Sequence, residues 1–462
     1  MEKTRLYIGI ETKVREFDAK LLLACVAAEA GYDVVLGEQK DFIKYLDEMP
    51  QGILINKSIS PSKASQYLHY NKLGFRLAAY DEEGLAPFNA EEYKKRRISV
   101  ASLHQLACFF AWGQWQAQVI AEQAPDEMEK VVLVGHPRVD LTRRELRAFY
   151  QDEVQALRDK YGQFVLINTN FSFYNHFKGR DFKIILQEKT KAGKVVDAEH
   201  REYYWRVSKH KKALFYAFQN MVEQLHRHFP EVVITLRPHP SENHDYWREV
   251  LPKADNIQVV HEGNVLSWIL ASAVMIHNSC TTGIEGFLLE HPVISYRPVQ
   301  EADLEFELPN LLSEQEFAMD TLLERVGAYI KNDPGQSLTM DGQKKEIAGQ
   351  YITGLDGPLS CERIVERLNM VKLPEPSLGL KGYSLYTRLK RTKGAFIQML
   401  SRPSQVDPRQ GYRQQKFPGF DVEEVRRGIA KLQRVSGRFP EVEAVPIAKN
   451  TVQIIRRSAN TA

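Results

Sequence analysis

Alternating apolar and helical runs predict an α/β protein of two successive domains, each a mainly parallel sheet covered by helices on both faces, followed by a basic, partly helical extension. Three observations carry this prediction. The 462-residue length exceeds what one hydrophobic core usually organises. The strand-like runs, among them Leu6–Ile10 and Gln163–Asn168, are apolar almost throughout, as expected of strands buried on both faces rather than on one. The strand–helix alternation also stops at a charged stretch near residue 141 and then begins again, the signature of two units rather than one long sheet.

In order, Leu6–Ile10 reads as a strand, Asp18–Ala30 as a helix stopped by Gly31, and Asp33–Leu36 as the next strand. Gly52–Ile55, Arg76–Tyr80 and Lys130–Val134 continue the pattern. The charged stretch Leu141–Tyr161 reads as a helical connector. Beyond it, Gln163–Asn168, Val232–Leu236, Ile257–Val260, Ala273–Ile276 and Val293–Tyr296 read as strands, with helices at Lys211–His228 and Thr282–Leu289. After about residue 371 the composition turns to Pro, Lys, Arg and Gln, with a helical pattern only at Val422–Val435. The expected domains are therefore 1–150, 151–370 and an extension at 371–462.

Composition narrows the class. Hydrophobic residues make up 43% and charged residues 26%, and no apolar run approaches the roughly 20 residues that a membrane span needs. The start shows no apolar leader, and the four cysteines lack paired spacing, so a reducing cytoplasm is expected and neither a disulfide framework nor a zinc site is. The net charge of +3 hides an asymmetry: residues 371–462 carry 18 Lys+Arg against 7 Asp+Glu, a balance of +11, which leaves −8 for residues 1–370. A basic tail on an acidic body is expected either to meet an anionic membrane surface, placing the protein peripherally on the inner membrane, or simply to be solvated. Nucleic acid is not an expected partner.

Three segments at predicted strand ends carry candidate chemistry. In Ile276–Gly286 a buried strand runs into Asn278, Ser279, Cys280, Thr281, Thr282 and Gly283, and a helix then begins. Hydroxyls and free N–H groups there would converge on a phosphate or diphosphate, although ordinary N-capping explains the same residues. Glu285, one turn in, is placed to accept hydrogen bonds from ribose. In Arg237-Pro238-His239-Pro240 the prolines stiffen a turn, from which the imidazole would grip a phosphate and help it leave. In Asp81-Glu82-Glu83-Gly84 three carboxylates follow a strand, suited to taking a hydroxyl proton or steadying an oxocarbenium-like sugar, with an acidic surface loop as the plain alternative. Asn168, Thr169 and Asn170 end another strand, and Glu11, Lys13 and Arg15 charge the first β-α loop, which lacks the glycine spacing of a dinucleotide fingerprint.

Together Glu82-Glu83-Gly84, His239-Pro240 and Ser279–Thr282, in that chain order, resemble bacterial surface-carbohydrate biosynthesis proteins of the GT-B glycosyltransferase type, related to sialyl- and Kdo-transferases that use CMP-activated sugars. The resemblance covers roughly residues 5–370. It implies two Rossmann-like domains facing a cleft and transfer of a Kdo or sialic-acid-like sugar from a nucleotide donor to a glycan or lipid-linked acceptor. It further implies Glu82 as catalytic carboxylate, with Asp81 and Glu83 as rivals, His239 and the hydroxyl cluster on the donor phosphate, and Glu285 on ribose. Arg237, Pro240 and Asn168–Asn170 fall on the donor side, Glu11, Lys13 and Arg15 on the acceptor side, and neither a metal nor another cofactor is called for. Two alternatives stand beside it: an isomerase resembling UDP-sugar 2-epimerases, and a non-catalytic nucleotide-binding assembly protein.

Overall fold

The computed structural model describes residues 3–85, 90–180, 182–191, 197–331, 341–374 and 416–457. The chain divides into two units, Met1–Phe149 with Gly349–Ala462, and Tyr150–Ala348.

In the first unit, strand β1 (Arg5–Ile10) pairs in parallel with β2 (Asp33–Glu38) on one side and β3 (Ile53–Asn56) on the other. Strands β4 (Arg76–Tyr80), β5 (Cys108–Ala111) and β6 (Val131–Leu133) then extend the sheet outward from β3. Chain order therefore reverses between β1 and β3. At such a reversal the connecting helices leave on opposite faces, so the carboxyl ends of the two strands border a crevice.

The second unit repeats the principle with six parallel strands. From β7 (Phe164–Asn168) the chain builds one way through β8 (Val233–Arg237) and β9 (Ile257–Val259). It then returns to the other side of β7 with β10 (Val274–His277), β11 (Val293–Tyr296) and β12 (Glu314–Glu316). The order β12-β11-β10-β7-β8-β9 is the doubly wound order of mononucleotide-binding sheets, with its reversal between β7 and β10. Two Rossmann-like α/β units thus make up the chain.

Each sheet is buried on both faces, which explains why its strands carry no polar alternation. Leu6, Ile8 and Ile10 of β1, and Val165, Leu166 and Ile167 of β7, are all fully buried. From Leu21 to Ala28 the helix Lys13–Glu29 is apolar all round because it is covered on several sides: it packs on the helices Ser360–Leu368 and Val422–Ser436 as well as on its own sheet. Gly428 permits the last of these contacts, since a Cβ there would stand 2.4 Å from Leu21 Cδ2.

The extension expected at 371–462 is not an appendage in its described part. After the helix Val422–Ser436, strands β13 (Val442–Ala448) and β14 (Thr451–Arg456) form a hairpin, and β14 joins the free edge of β2 antiparallel. The hairpin turns at Asn450, whose φ of 54° lies in the left-handed region that Asn tolerates. Some of the tail's charge is spent within the unit. Lys416 pairs with Glu11 at 2.6 Å, and Arg438 pairs with Glu29 and Glu362, each at 2.6 Å. These pairs account for part of the acid–base asymmetry without an external surface. The basic cluster Arg388–Lys393 and the aromatics Tyr383, Tyr386 and Phe396, which the sequence offers for contact with anionic headgroups, lie outside the described residues. Among the described residues no helix is long and apolar enough to cross a membrane.

Asp140 fastens the helix Ser360–Leu368 to the first unit: its carboxylate accepts the N–H groups of Ser360 at 2.8 Å and Cys361 at 2.9 Å. These are first-turn donors that no intrahelical carbonyl can satisfy. Replacing Asp140 with Ala is expected to cost about 1–2 kcal/mol and to lower the melting temperature by a few degrees in a calorimetric scan. An unchanged melt would show that the segment 349–374 does not depend on this contact.

Candidate functional site

The second unit concentrates unpaired polar groups at the β7–β10 reversal. Asn278, immediately after β10, turns its side chain toward the loop that follows β7, where its Oδ1 accepts the Asn170 N–H at 2.9 Å. The same side chain leaves Nδ2 buried without a hydrogen-bond partner among the described residues, and Thr282 Oγ1 is in the same condition. The long helix Ala198–His228 adds two buried residues, His210 and Lys211. Lys211 makes no ion pair or hydrogen bond among the described residues. Burial pulls its pKa down to about 8, opposed by the nearby Cys280, Glu305 and Glu242. Glu305 is not free to neutralise it, because its carboxylate accepts from Arg297 Nε at 2.5 Å, the Glu301 N–H at 2.9 Å and Asn310 Nδ2 at 3.1 Å. His210 has both ring nitrogens unpartnered, and burial pulls it down to about 4, so it is neutral near pH 7.

The Lys211 charge acts on Cys280, which lies two residues after Asn278 and two before Thr282, so the three groups face one neighbourhood. Burying polar donors without acceptors is costly. A neighbourhood with an ammonium, an amide N–H₂ and a hydroxyl to spare is built for an anion.

Several of the predicted donor-side residues are already committed within the chain. Ser279 is committed: its Oγ donates to Phe306 O at 3.0 Å and accepts the Phe306 N–H at 2.5 Å, holding Ser279 at a φ of 52°. That corrects its expected role as a phosphate ligand. Gly283 serves packing, since a Cβ there would lie 2.4 Å from His277 Nε2. The Cys280 N–H donates to His277 Nδ1 at 3.2 Å, and its buried thiol is pushed up. Thr281 stands half-buried at the start of the seven-residue helix Thr282–Leu288 without capping it, and Glu285 is half-buried one turn in. Arg237 closes a loop by donating to the carbonyls of Glu262 at 3.0 Å and Gly263 at 2.6 Å, rather than reaching a donor. Asn168 Nδ2 rests on Met275 Sδ at 3.0 Å.

His239 stands exposed on its turn, beside a half-buried Pro240. Its Nδ1 accepts the Ser241 N–H at 3.2 Å. A backbone N–H only donates, so a neutral ring carries its proton on Nε2. Sequence reasoning passed over the residue that fixes this turn. Glu242 Oε1 accepts from Thr169 Oγ1 at 2.8 Å, the Phe171 N–H at 3.0 Å and the His239 N–H at 3.1 Å, while Oε2 accepts from Trp247 Nε1 at 2.9 Å. Thr169 is thereby committed too.

In the first unit the three carboxylates after β4 have different fates. Asp81 is wholly buried and saturated: it accepts from Tyr93 OH at 3.0 Å, Arg97 Nε at 3.0 Å and the Glu83 N–H at 3.2 Å, and it pairs closely with a second Arg97 nitrogen. Glu83 is exposed and pairs with Arg97 NH1 at 3.0 Å. Both lose their expected catalytic candidacy on those contacts. Glu82 is buried with Oε1 2.9 Å from Lys20 Nζ, and its Oε2 has no hydrogen-bond partner among the described residues. The Lys20 ammonium also donates to Glu16 Oε2 and Gly9 O, each at 2.7 Å. Burial alone would raise the Glu82 pKa, but the Lys20 ammonium and the Arg138 guanidinium outweigh it and hold the carboxyl at about 2.

Facing Glu82 Oε2 at 3.5 Å is His136 Nε2, a second residue without a sequence signal beyond its flanking glycine and proline. Burial draws His136 down to about 3. Its Nδ1 accepts the Arg138 N–H at 3.2 Å, and Trp112 stacks on the ring at 4.0 Å. Of the expected acceptor-side residues only Arg15 reaches this loop, donating to Glu82 O at 3.0 Å. Lys13 turns to Gly419 O and Glu424, each at 2.7 Å, and Glu11 pairs with Lys57 and Lys416. Among the described residues no group of three or more His, Cys, Asp or Glu is arranged to hold a metal ion.

No family model and no curated protein matches the chain. Solved structures do. The UDP-GlcNAc 2-epimerase of Methanocaldococcus jannaschii, in complex with UDP-GlcNAc and UDP, is 14% identical over 80% of this chain and 100% of its own, with a TM-score of 0.46. The corresponding enzyme of Rickettsia bellii is 12% identical over 80% and 96%, also at 0.46. The Neisseria meningitidis enzyme bound to UDP-GlcNAc is 11% identical over 80% and 100%, at 0.44. All three are UDP-GlcNAc 2-epimerases, where the sequence had led to the expectation of a glycosyltransferase using CMP-activated sugars.

The buried imidazoles set a pH limit. His136, His261, His277 and His291 fall from an ordinary 6.5 to about 3, and His210 to about 4, chiefly through burial. The unfolded chain therefore binds more protons than the folded one between those values and 6.5. The stability these groups contribute is full above pH 6.5 and is lost as pH falls, by up to about 1.4 kcal/mol per pH unit for each ring. Chemical denaturation at stepped pH should show stability dropping steeply below pH 6, and a flat profile from pH 7 to 4 would contradict the buried, neutral assignment.

Proposed function

We propose that the chain is a nucleotide-sugar isomerase of the UDP-sugar 2-epimerase kind, holding a nucleoside diphosphate at the β7–β10 crevice and turning over its sugar without an acceptor. The observation that carries this is the pair of buried donors with no acceptor, Asn278 Nδ2 and Thr282 Oγ1, beside Lys211, a buried residue that no ion pair or hydrogen bond engages among the described residues, at the strand reversal where doubly wound sheets receive nucleotides. An ammonium and two neutral donors suit the several oxygens of a diphosphate better than the single phosphate of a CMP-sugar. Glu82 also speaks against deprotonation of an acceptor hydroxyl, because a carboxyl held at about 2 is a weak base near neutral pH.

Titration calorimetry with UDP and CMP tests the binding half. UDP is expected to bind the tighter, and Lys211→Met should weaken it roughly 10- to 100-fold, the loss of a charged hydrogen bond worth about 1.5–3 kcal/mol. CMP binding more tightly than UDP, or a Lys211→Met variant with unchanged affinity, would remove the proposal. For the catalytic half, UDP-GlcNAc incubated in D₂O without acceptor should yield its C2 epimer with deuterium at C2 in the proton NMR spectrum. UDP binding with no turnover of UDP-sugars would instead leave a non-catalytic nucleotide-binding protein.

A further inference from the structure

We infer that the first unit carries a separate binding centre for the hydroxyl groups of a neutral polyol, a saccharide edge or hydroxymethyl group, formed by the Glu82 carboxylate and the His136 imidazole. Three atoms define it: Glu82 Oε2 and His136 Nε2 are buried without a hydrogen-bond partner among the described residues, and Glu82 Oε1 meets only the Lys20 ammonium, at 2.9 Å. They belong to side chains 8% and 2% exposed and face one another across 3.5 Å. A protein seldom leaves a carboxylate and an imidazole so placed, since each unmet polar atom costs on the order of 1–3 kcal/mol.

The surroundings choose the ligand. A cation at Glu82 would meet Lys20 Nζ, only 2.9 Å from the carboxylate, together with the nearby charges of Arg138 and Arg15. An anion would meet the carboxylate itself, with Glu16 behind it. A neutral group escapes both. It must also supply donors, because the two oxygens of Glu82 only accept, and it should offer one acceptor for the Nε2–H of His136.

Hydroxyl groups satisfy both demands, donating to the carboxylate and accepting from the imidazole. Nδ1 of His136 is engaged by the Arg138 N–H, which leaves the ring proton on Nε2, and the ring is clamped between stacked Trp112 at 4.0 Å and the edge of Tyr80 at 4.7 Å. The donor is therefore held in direction. Because Glu82 stays ionised through the neutral range, the centre acts as a fixed receptor for hydroxyls and not as a site of proton exchange.

This centre stands apart from the nucleotide reading, so the test keeps the two separable. Saturation-transfer NMR on the full chain, with N-acetylglucosamine, glucose and glycerol as probes, is expected to show at least one of them bound. Glu82→Gln, which turns one acceptor into a donor, should weaken that binding at least tenfold. His136→Asn keeps an amide oxygen near the Arg138 N–H but withdraws Nε2, and should weaken it less. UDP affinity, measured alongside, should be unchanged in both variants. Should Glu82→Gln fail to fold because Lys20 loses a counter-charge, His136→Asn decides the matter. No binding of any probe to the folded wild type, or binding unaltered in a folded Glu82 or His136 variant, would overturn the inference. Absence of UDP binding in the wild type would count against the nucleotide reading alone.

Discussion

The second unit is organised around the buried Glu242 carboxylate, which takes four hydrogen bonds from three different places: the loop after β7, the His239 turn and Trp247. Burial raises its pKa, while the donors from Phe171, Trp247, Thr169 and His239 favour its charge. With both oxygens occupied by these donors, Glu242 cannot neutralise Lys211, which lies within its electrostatic reach. Glu305 is likewise saturated. The unit thus keeps a buried ammonium unpaired by committing its nearby carboxylates elsewhere, and that constraint gives the crevice its appetite for an anion.

The first unit reaches the opposite outcome by the same means. Asp81 is saturated by Arg97 and Tyr93, and Glu83 is paired at the surface. Lys20 shares its hydrogens with Glu16 and Gly9, which leaves Glu82 charged with one oxygen unmet. One unit therefore buries spare donors and the other spare acceptors. In each case the decisive feature is which neighbour of a charged group has already been satisfied.

The strands were legible in the sequence because burial on both faces leaves an apolar run. Arg76–Tyr80 and Val293–Tyr296 coincide with the strands expected from the sequence. Strand Cys108–Ala111 was hidden inside an apolar, aromatic stretch that reads equally well as a helix, and the hairpin Val442–Arg456 was masked by the basic composition around it. Asn278 and Thr282 were legible because small polar residues follow a buried strand. Lys211 was not: it is one lysine in a charged helix, and only the packing of Ala198–His228 buries it. The sequence resemblance put Glu82 ahead of Asp81 and Glu83, but the contact that sets Asp81 apart, with Arg97 16 residues further along, was not legible in it.

The central claim is that the spare donors of the β7–β10 crevice receive a diphosphate, and a crystal structure of the chain grown with UDP addresses it most directly. The account predicts pyrophosphate oxygens within hydrogen-bond distance of Lys211 Nζ, Asn278 Nδ2 and Thr282 Oγ1. Well-defined UDP bound elsewhere, with those three groups still unmet or bridged only by water, would contradict it.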